Sequence, residues 1–168
     1  MNESVKTKKH TIRINGKLKE VVTVEDEKGT ILQRIISPLM VEFYFRDLIQ
    51  IIVGASILAI PVAFTEETWR LGELLPLNKV LGVMLLSLLF IAAFVYYNFY
   101  RTEHLREHWD EFLKRVLSTY LISFLVVALI LTLIEKAPWA TDHLLAVKRI
   151  ILVSFPASMS AAVADMIK

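Results

Sequence analysis

Four long apolar stretches limit the folds that this chain can adopt. They cover residues 48–64, 80–100, 116–134 and 150–167. A helix needs about 20 apolar residues to cross the hydrocarbon core of a bilayer, with a range of roughly 17–25. A chain of 168 residues, 55% of them hydrophobic, is too short to bury four such helices within protein. The sequence therefore predicts an all-α membrane protein, a four-transmembrane-helix bundle surrounded by the lipid bilayer.

The residues before the first stretch predict a small cytoplasmic head with a β-hairpin. Asn15-Gly16 is a strong signal for a two-residue hairpin turn, because both residue types tolerate positive φ. Ile12 and Ile14 alternate with polar residues before this turn, as in a strand with one apolar face. The predicted domains are the head at residues 1–34, an interfacial linker at 35–47 and the transmembrane domain at 48–168.

The distribution of Lys and Arg predicts the orientation. Loops on the cytoplasmic side of a membrane are enriched in these residues. Fourteen of the nineteen lie before the first stretch, between the second and third, or at the C-terminus, and five lie on the other side. We expect a multi-pass protein of the cell's inner membrane with both termini in the cytoplasm.

The end of the first stretch combines a proline with two acidic residues. Pro61 has no N–H and frees a backbone carbonyl in its helix, and Pro156 does the same in the last stretch. In the predicted orientation both prolines lie in the outer half of the bilayer, near Glu66 and Glu67. Carboxylate and carbonyl oxygens suit hard cations, so these four residues are candidates for a cation site. Alternatively, the prolines are ordinary kinks and the acids merely end a span in water.

The last stretch is rich in small residues at helical spacing. Ser154, Ser158 and Ala162 repeat every four residues, and so do Ala157 and Ala161. Small residues at this spacing let helix backbones approach closely in membranes. We therefore expect this helix to be tightly packed, either within the bundle or between the subunits of a homo-oligomer.

Polar residues at the ends of the stretches allow several interpretations. Asp47 suits the N-terminus of the first helix, where a carboxylate is favourable. We expect Thr141 to cap the N-terminus of the last helix. Asp165 is a functional candidate if it lies in the membrane, whereas its place near the chain end fits a surface position equally well.

The connection at residues 101–115 predicts a helix on the membrane surface. His104, His108 and Glu111 share one face of it, which is the geometry of a metal site, although a solvated helix face is the commoner meaning of this spacing. Glu111 is also spaced for an ion pair with Arg115. The chain has no cysteine, so a thiolate metal site is excluded, and we expect no cofactor.

Two segments resemble a known family. "FRDLIQIIVGASILAIPVAFTEETW", residues 45–69, and "VSFPASMSAAVAD", residues 153–165, resemble motifs of a prokaryotic family of integral membrane proteins of unknown function. The resemblance covers about residues 40–168 and leaves the head outside. It implies a small multi-pass membrane protein and no particular activity.

Two functional hypotheses remain. The sequence holds no nucleophile–base pair and no phosphate-binding glycine loop, so we do not expect an enzyme. Acidic residues offset the basic charge of the head, which argues against nucleic-acid binding. One hypothesis is an oligomeric ion channel or transporter with an acidic outer entrance. The other is a membrane-embedded interaction or adapter protein, which binds a cytoplasmic partner through the head and the helix at 101–115.

Overall fold

The chain forms two compact units, Met1–Glu42 and Phe43–Lys168. The computed structural model describes residues 6–14, 17–26, 30–38, 45–100 and 109–167. The two units are described separately below.

The first unit is a three-stranded antiparallel sheet with the strand order β1-β2-β3. Ile14 of β1 lies opposite Lys17 of β2, so two residues connect these strands. The predicted Asn15-Gly16 turn itself lies outside the described residues. The strands are β1 (Lys6–Ile14), β2 (Lys17–Glu25) and β3 (Ile31–Pro38).

The sequence predicted a hairpin in residues 1–34, and the structure adds β3, which runs past that boundary into the predicted linker. The physical reason is that a two-stranded hairpin is only marginally stable in water, and a third strand adds a second ladder. The central strand then has neighbours on both sides, and Val21 and Thr23 on it are buried.

The second unit contains four long helices and one short helix among its described residues. Each long helix is long and apolar enough to cross a membrane, which confirms the predicted four-helix membrane fold. A short π-helical turn, Tyr96–Tyr100, extends the second long helix. The helices are α1 (Phe45–Ala63), α2 (Glu66–Leu74), α3 (Leu77–Val95), α4 (Trp109–Leu133) and α5 (His143–Ala164).

The observed helices begin earlier than the predicted spans. Each long helix starts three to seven residues before its apolar stretch, because polar residues also adopt helical structure at helix ends. Residues 109–115, predicted as part of a surface helix, are the first turns of α4, and residues 101–108 lie outside the described residues. The predicted cap of α5 is wrong by one residue: the side chain of Asp142, not Thr141, accepts a hydrogen bond from the Leu145 N–H.

Helix α5 is the centre of the bundle. It packs against α1, α3 and α4 and also against the short α2. Half of its most apolar 18-residue segment is buried, compared with 22% to 28% of the same segment in the other three long helices. The approach to α1 is so close that a Cβ on Gly54 would overlap Ala164. Small side chains on α5 permit this contact, in the way that small residues permit close packing of membrane helices generally.

Candidate functional site

A cluster of three charged side chains joins three helices. Arg115 of α4 donates from Nη2 to Asp47 Oδ2 at 3.1 Å and from Nη1 to Asp165 Oδ2 at 2.5 Å. All three side chains are at most 2% exposed. Because Asp47 lies on α1 and Asp165 immediately follows α5, the guanidinium connects α1, α4 and α5. We call this set the Asp47–Arg115–Asp165 cluster.

The directions of three helices place the residues of the cluster at the same end of the bundle. Helices α1 and α4 begin, and α5 ends, at the same end of the bundle, which we call the Asp47 end. Asp47 is in the first turn of α1, where the helix dipole favours a carboxylate. Arg115 lies in the second turn of α4, between the buried side chains of Phe112 and Thr119.

The buried charges of the Asp47–Arg115–Asp165 cluster are stabilised by the ion pairs between them. The planar guanidinium presents separate nitrogens to the two carboxylates, which is a geometry that lysine cannot reproduce. Charge-assisted hydrogen bonds of this kind are the strong ones in proteins. Removing one partner of a buried pair leaves an uncompensated charge and typically costs about 3–5 kcal/mol. The three side chains therefore depend on one another.

Buried hydroxyl groups continue from the cluster into the bundle. Thr119 donates to the carbonyl of Arg115 at 2.8 Å, and Ser123 donates to the carbonyl of Thr119 at 2.7 Å. The hydroxyls of Ser87 on α3 and Ser158 on α5 lie 2.7 Å apart. Apart from the buried hydroxyl of Ser154, the interior beyond these groups is apolar. The buried apolar side chains include Ala59, Ala63, Val127, Leu131, Ile150 and Val153.

A second polar cluster lies at the opposite end, which we call the Glu73 end. Arg149 of α5 donates from Nη2 to Glu73 Oε1 at 2.6 Å and from Nη1 to the carbonyl of Lys136 at 2.8 Å. The Lys136 ammonium lies 4.1 Å from the centre of the Trp69 ring. A Cβ on Gly72 would come within 2.6 Å of Arg149 Cγ, so this glycine lets α2 lie directly on the arginine. These contacts attach α2 to α5.

The chain matches a known family over residues 15–167, and that family is described as "Putative integral membrane protein (DUF2391)". The chain belongs to this family. The match includes β2 and β3, which the resemblance from sequence left outside. No curated protein and no solved structure matches the chain. The protein is thus an integral membrane protein, and membership of the DUF2391 family assigns it no activity.

The four residues of the predicted cation site lie on three different helices, α1, α2 and α5. Glu66 and Glu67 are exposed in the first turn of α2, because the chain turns at Thr65 and starts a new helix there. Pro61 is exposed on α1, and Pro156 is partly buried on α5. Helices α1 and α5 do pack against each other. Within the described part of the chain, no group of three or more His, Asp or Glu residues is arranged to hold a metal ion.

The five small residues of the predicted packing face are all buried, with exposures between 0% and 4%. They are Ser154, Ala157, Ser158, Ala161 and Ala162.

The weak metal candidates are only partly described. His104 and His108 lie outside the described residues. Glu111 accepts a hydrogen bond from Lys114 at 3.1 Å. The guanidinium of Arg115, which the sequence spacing suggested as a partner for Glu111, contacts Asp47 and Asp165 instead.

The role of Arg115 was missed by the sequence reasoning, and Asp47 and Asp165 were each given a local explanation. One feature of the sequence could have indicated the cluster. In the predicted topology, all three residues lie at the same membrane face, and each is within three residues of the end of an apolar stretch. Oppositely charged residues at the same depth on separate membrane helices commonly form ion pairs.

Proposed function

We propose that this integral membrane protein transports protons, alone or together with another solute, and that the Asp47–Arg115–Asp165 cluster is its proton-binding centre. The observation that carries the proposal is that three ionisable side chains from three helices meet out of contact with water. Ionisable residues inside membranes are costly and usually functional. This role needs no enzymatic chemistry.

A proton would change the contacts of the cluster directly. Protonation of either aspartate removes a negative charge from one side of Arg115 and weakens the link between α4 and that helix. Since α1 and α5 are held to α4 through the same guanidinium, gain or loss of a proton would bias the packing of all three helices. A transporter needs such a coupling between ion binding and helix packing.

The proposal also includes the route by which the transported ion would cross the rest of the bundle. Apolar side chains fill the interior beyond the hydroxyls, so transport requires a rearrangement of the bundle or a path between the subunits of a homo-oligomer. We retain Glu66 and Glu67, together with Pro61 and Pro156, as the proposed outer entrance for a cation. The proposed setting is the cell's inner membrane with both termini in the cytoplasm, which puts the Asp47 end on the cytoplasmic side.

Proton flux into liposomes tests the proposal. Purified protein is reconstituted with a pH-sensitive dye inside the vesicles, and a potassium gradient with valinomycin sets the membrane potential. We expect Asp165→Asn to reduce protein-dependent flux at least tenfold, whereas Asp110→Asn, an exposed carboxylate at the start of α4, should leave it unchanged. A double variant, Glu66→Gln with Glu67→Gln, tests the outer entrance separately. Wild-type flux in Asp165→Asn, or no flux in the wild type, would refute the transport proposal.

A second candidate function is a membrane-embedded adapter that binds a cytoplasmic protein through the head. The observation in its favour is the edge strand β3, where Ile31, Leu32, Ile35 and Ile36 are all exposed. A photoreactive amino acid at Leu32 should then cross-link one discrete protein in intact cells. The same probe at Thr7, an exposed position on β1, serves as the control.

A further inference from the structure

The exposed strand β3 and the charges of the head point to a lipid surface. We propose that the head sheet binds the membrane surface on the side of the N-terminus. The end of the sheet that carries Arg13, Lys17 and Lys19 binds anionic lipid headgroups, and the aliphatic side chains of β3 lie at the boundary between headgroups and acyl chains. This inference does not depend on the transport proposal.

The first observation is the exposure of β3. Ile31 and Leu32 are 57% and 58% exposed, and Ile35 and Ile36 are 44% and 50% exposed. Successive residues of a strand point to opposite faces, so neither face of the sheet covers these side chains. β3 is also an edge strand, and an exposed apolar edge promotes aggregation unless something covers it.

The second observation is the short connection between β3 and the first membrane helix. β3 ends at Pro38 and α1 begins at Phe45, seven residues later. Seven fully extended residues span at most about 25 Å. The end of β3 therefore cannot leave the neighbourhood of the bilayer, whatever path the connection takes. A lipid surface is always within its reach, whereas a soluble partner has to be recruited.

The third observation is the distribution of charge along the sheet. Lys19 is paired in register with Pro38, so it lies at the end of the sheet from which the chain leads to the membrane. Arg13 and Lys17 occupy register positions at the same end. Glu20, paired in register with Ser37, is an acidic residue at this end, and the end keeps a net positive charge. The other end carries Lys6, Lys8 and Lys9 as well as Glu25, which forms an ion pair with Lys8 at 2.8 Å. The first end differs from the second because it is the one tethered to the bilayer.

Charge and apolar surface together favour lipid as the occupant. Basic residues close to an anionic membrane surface are attracted to it, and the attraction falls off within a Debye length. Aliphatic side chains add to the binding when they reach the acyl boundary. The polar backbone edge of β3 can still bond to water and headgroups there, which it could not do in the hydrocarbon core.

Site-directed spin labelling measures the position of β3 directly. The chain contains no cysteine, so Ile35→Cys introduces a unique label site in the full-length protein, and Thr7→Cys provides a control on β1. Each labelled protein is placed in nanodiscs that hold one copy, made either of phosphatidylcholine alone or of phosphatidylcholine with phosphatidylglycerol. The accessibility of the label to oxygen and to a water-soluble nickel chelate then reports its depth. An Ile36→Cys label reports the next residue, whose side chain points to the opposite face of the sheet.

We expect the Ile35 label to favour oxygen over nickel in anionic discs and the Thr7 label to remain accessible to nickel. Lys17→Gln with Lys19→Gln should lower the equilibrium constant for the membrane-bound head about thirtyfold. Lys6→Gln with Lys8→Gln, an equal charge change at the other end, should have little effect. A label at Ile35 that is equally accessible to nickel in both lipids would overturn the proposal. So would shielding of this label from both reagents in single-copy discs, because protein and not lipid would then cover β3.

Discussion

Replacement of Arg115 by methionine should be the most destabilising single change at the Asp47 end. Arg115→Met deletes two charge-assisted hydrogen bonds and leaves Asp47 and Asp165 without their guanidinium. Hydrogen bonds to charged groups contribute about 1.5–3 kcal/mol each, which gives about 3–6 kcal/mol for the pair. Broken buried ion pairs independently suggest about 3–5 kcal/mol. Because the cluster lies near a helix end, where water can reach a loosened site, we expect the lower part of this range, about 3–4 kcal/mol.

The measurement is the free energy of unfolding in mixed micelles, titrated with a denaturing detergent and monitored by circular dichroism. Lys114→Met is the matched control, because it removes a neighbouring cation whose ion pair with Glu111 is exposed on the lysine side. Exposed pairs of this kind contribute about 0.5 kcal/mol or less. If Arg115→Met costs no more than about 1 kcal/mol beyond Lys114→Met, the cluster does not hold the helices together as we have argued.

Three further results are expected. Ser158→Leu should cost about 1–3 kcal/mol by overpacking the buried contact with α3, whereas Met159→Leu, on the exposed side of α5, should be close to neutral; equal melting curves for the two variants would contradict this packing. Glu73→Gln should cost about 1 kcal/mol or less, because Glu73 is 55% exposed although its ion pair with Arg149 is short; a loss above about 2 kcal/mol would indicate a far drier site. Cysteines introduced at Asn15 and at Glu73 should react with a membrane-impermeant reagent from opposite sides of the membrane, and labelling of both from outside would refute the proposed orientation.

The membrane helices could be predicted because hydrophobicity is a local property of the sequence. Twenty apolar residues have few alternatives to a membrane helix, whatever the rest of the chain does. The ends of the helices were less accurate, because helical structure extends beyond the apolar residues that define a span. The cap of α5 shows the same limit, since Thr141 and Asp142 are both good cap residues and only the backbone geometry selects Asp142.

The sheet and the ionic cluster depend on contacts between distant residues, and local patterns say little about these. Asn15-Gly16 signals a turn between adjacent strands, but no equally strong signal follows β2, so β3 was not predicted and its second half was assigned to a linker. In the cluster, Arg115 is 68 residues from Asp47 and 50 residues from Asp165. The local i, i+4 rule instead offered Glu111 as its partner. The correct pairing follows only once the helices are packed in three dimensions.

Helix α5 connects the two polar ends of the bundle, and this gives the transport proposal a specific moving part. Arg149, in its second turn, is bound to Glu73 of α2, and Asp165, just after its last turn, is bound to Arg115 of α4. Between them, Pro156 interrupts one backbone hydrogen bond of the helix. A shift of α5 along its axis would strain both ion pairs at once, and it would also break the hydrogen bond between Ser87 and Ser158 and change the close contact with Gly54. Protonation of Asp165 would release one end of the helix, and the contacts of Arg149 at the other end would then limit how far it moves.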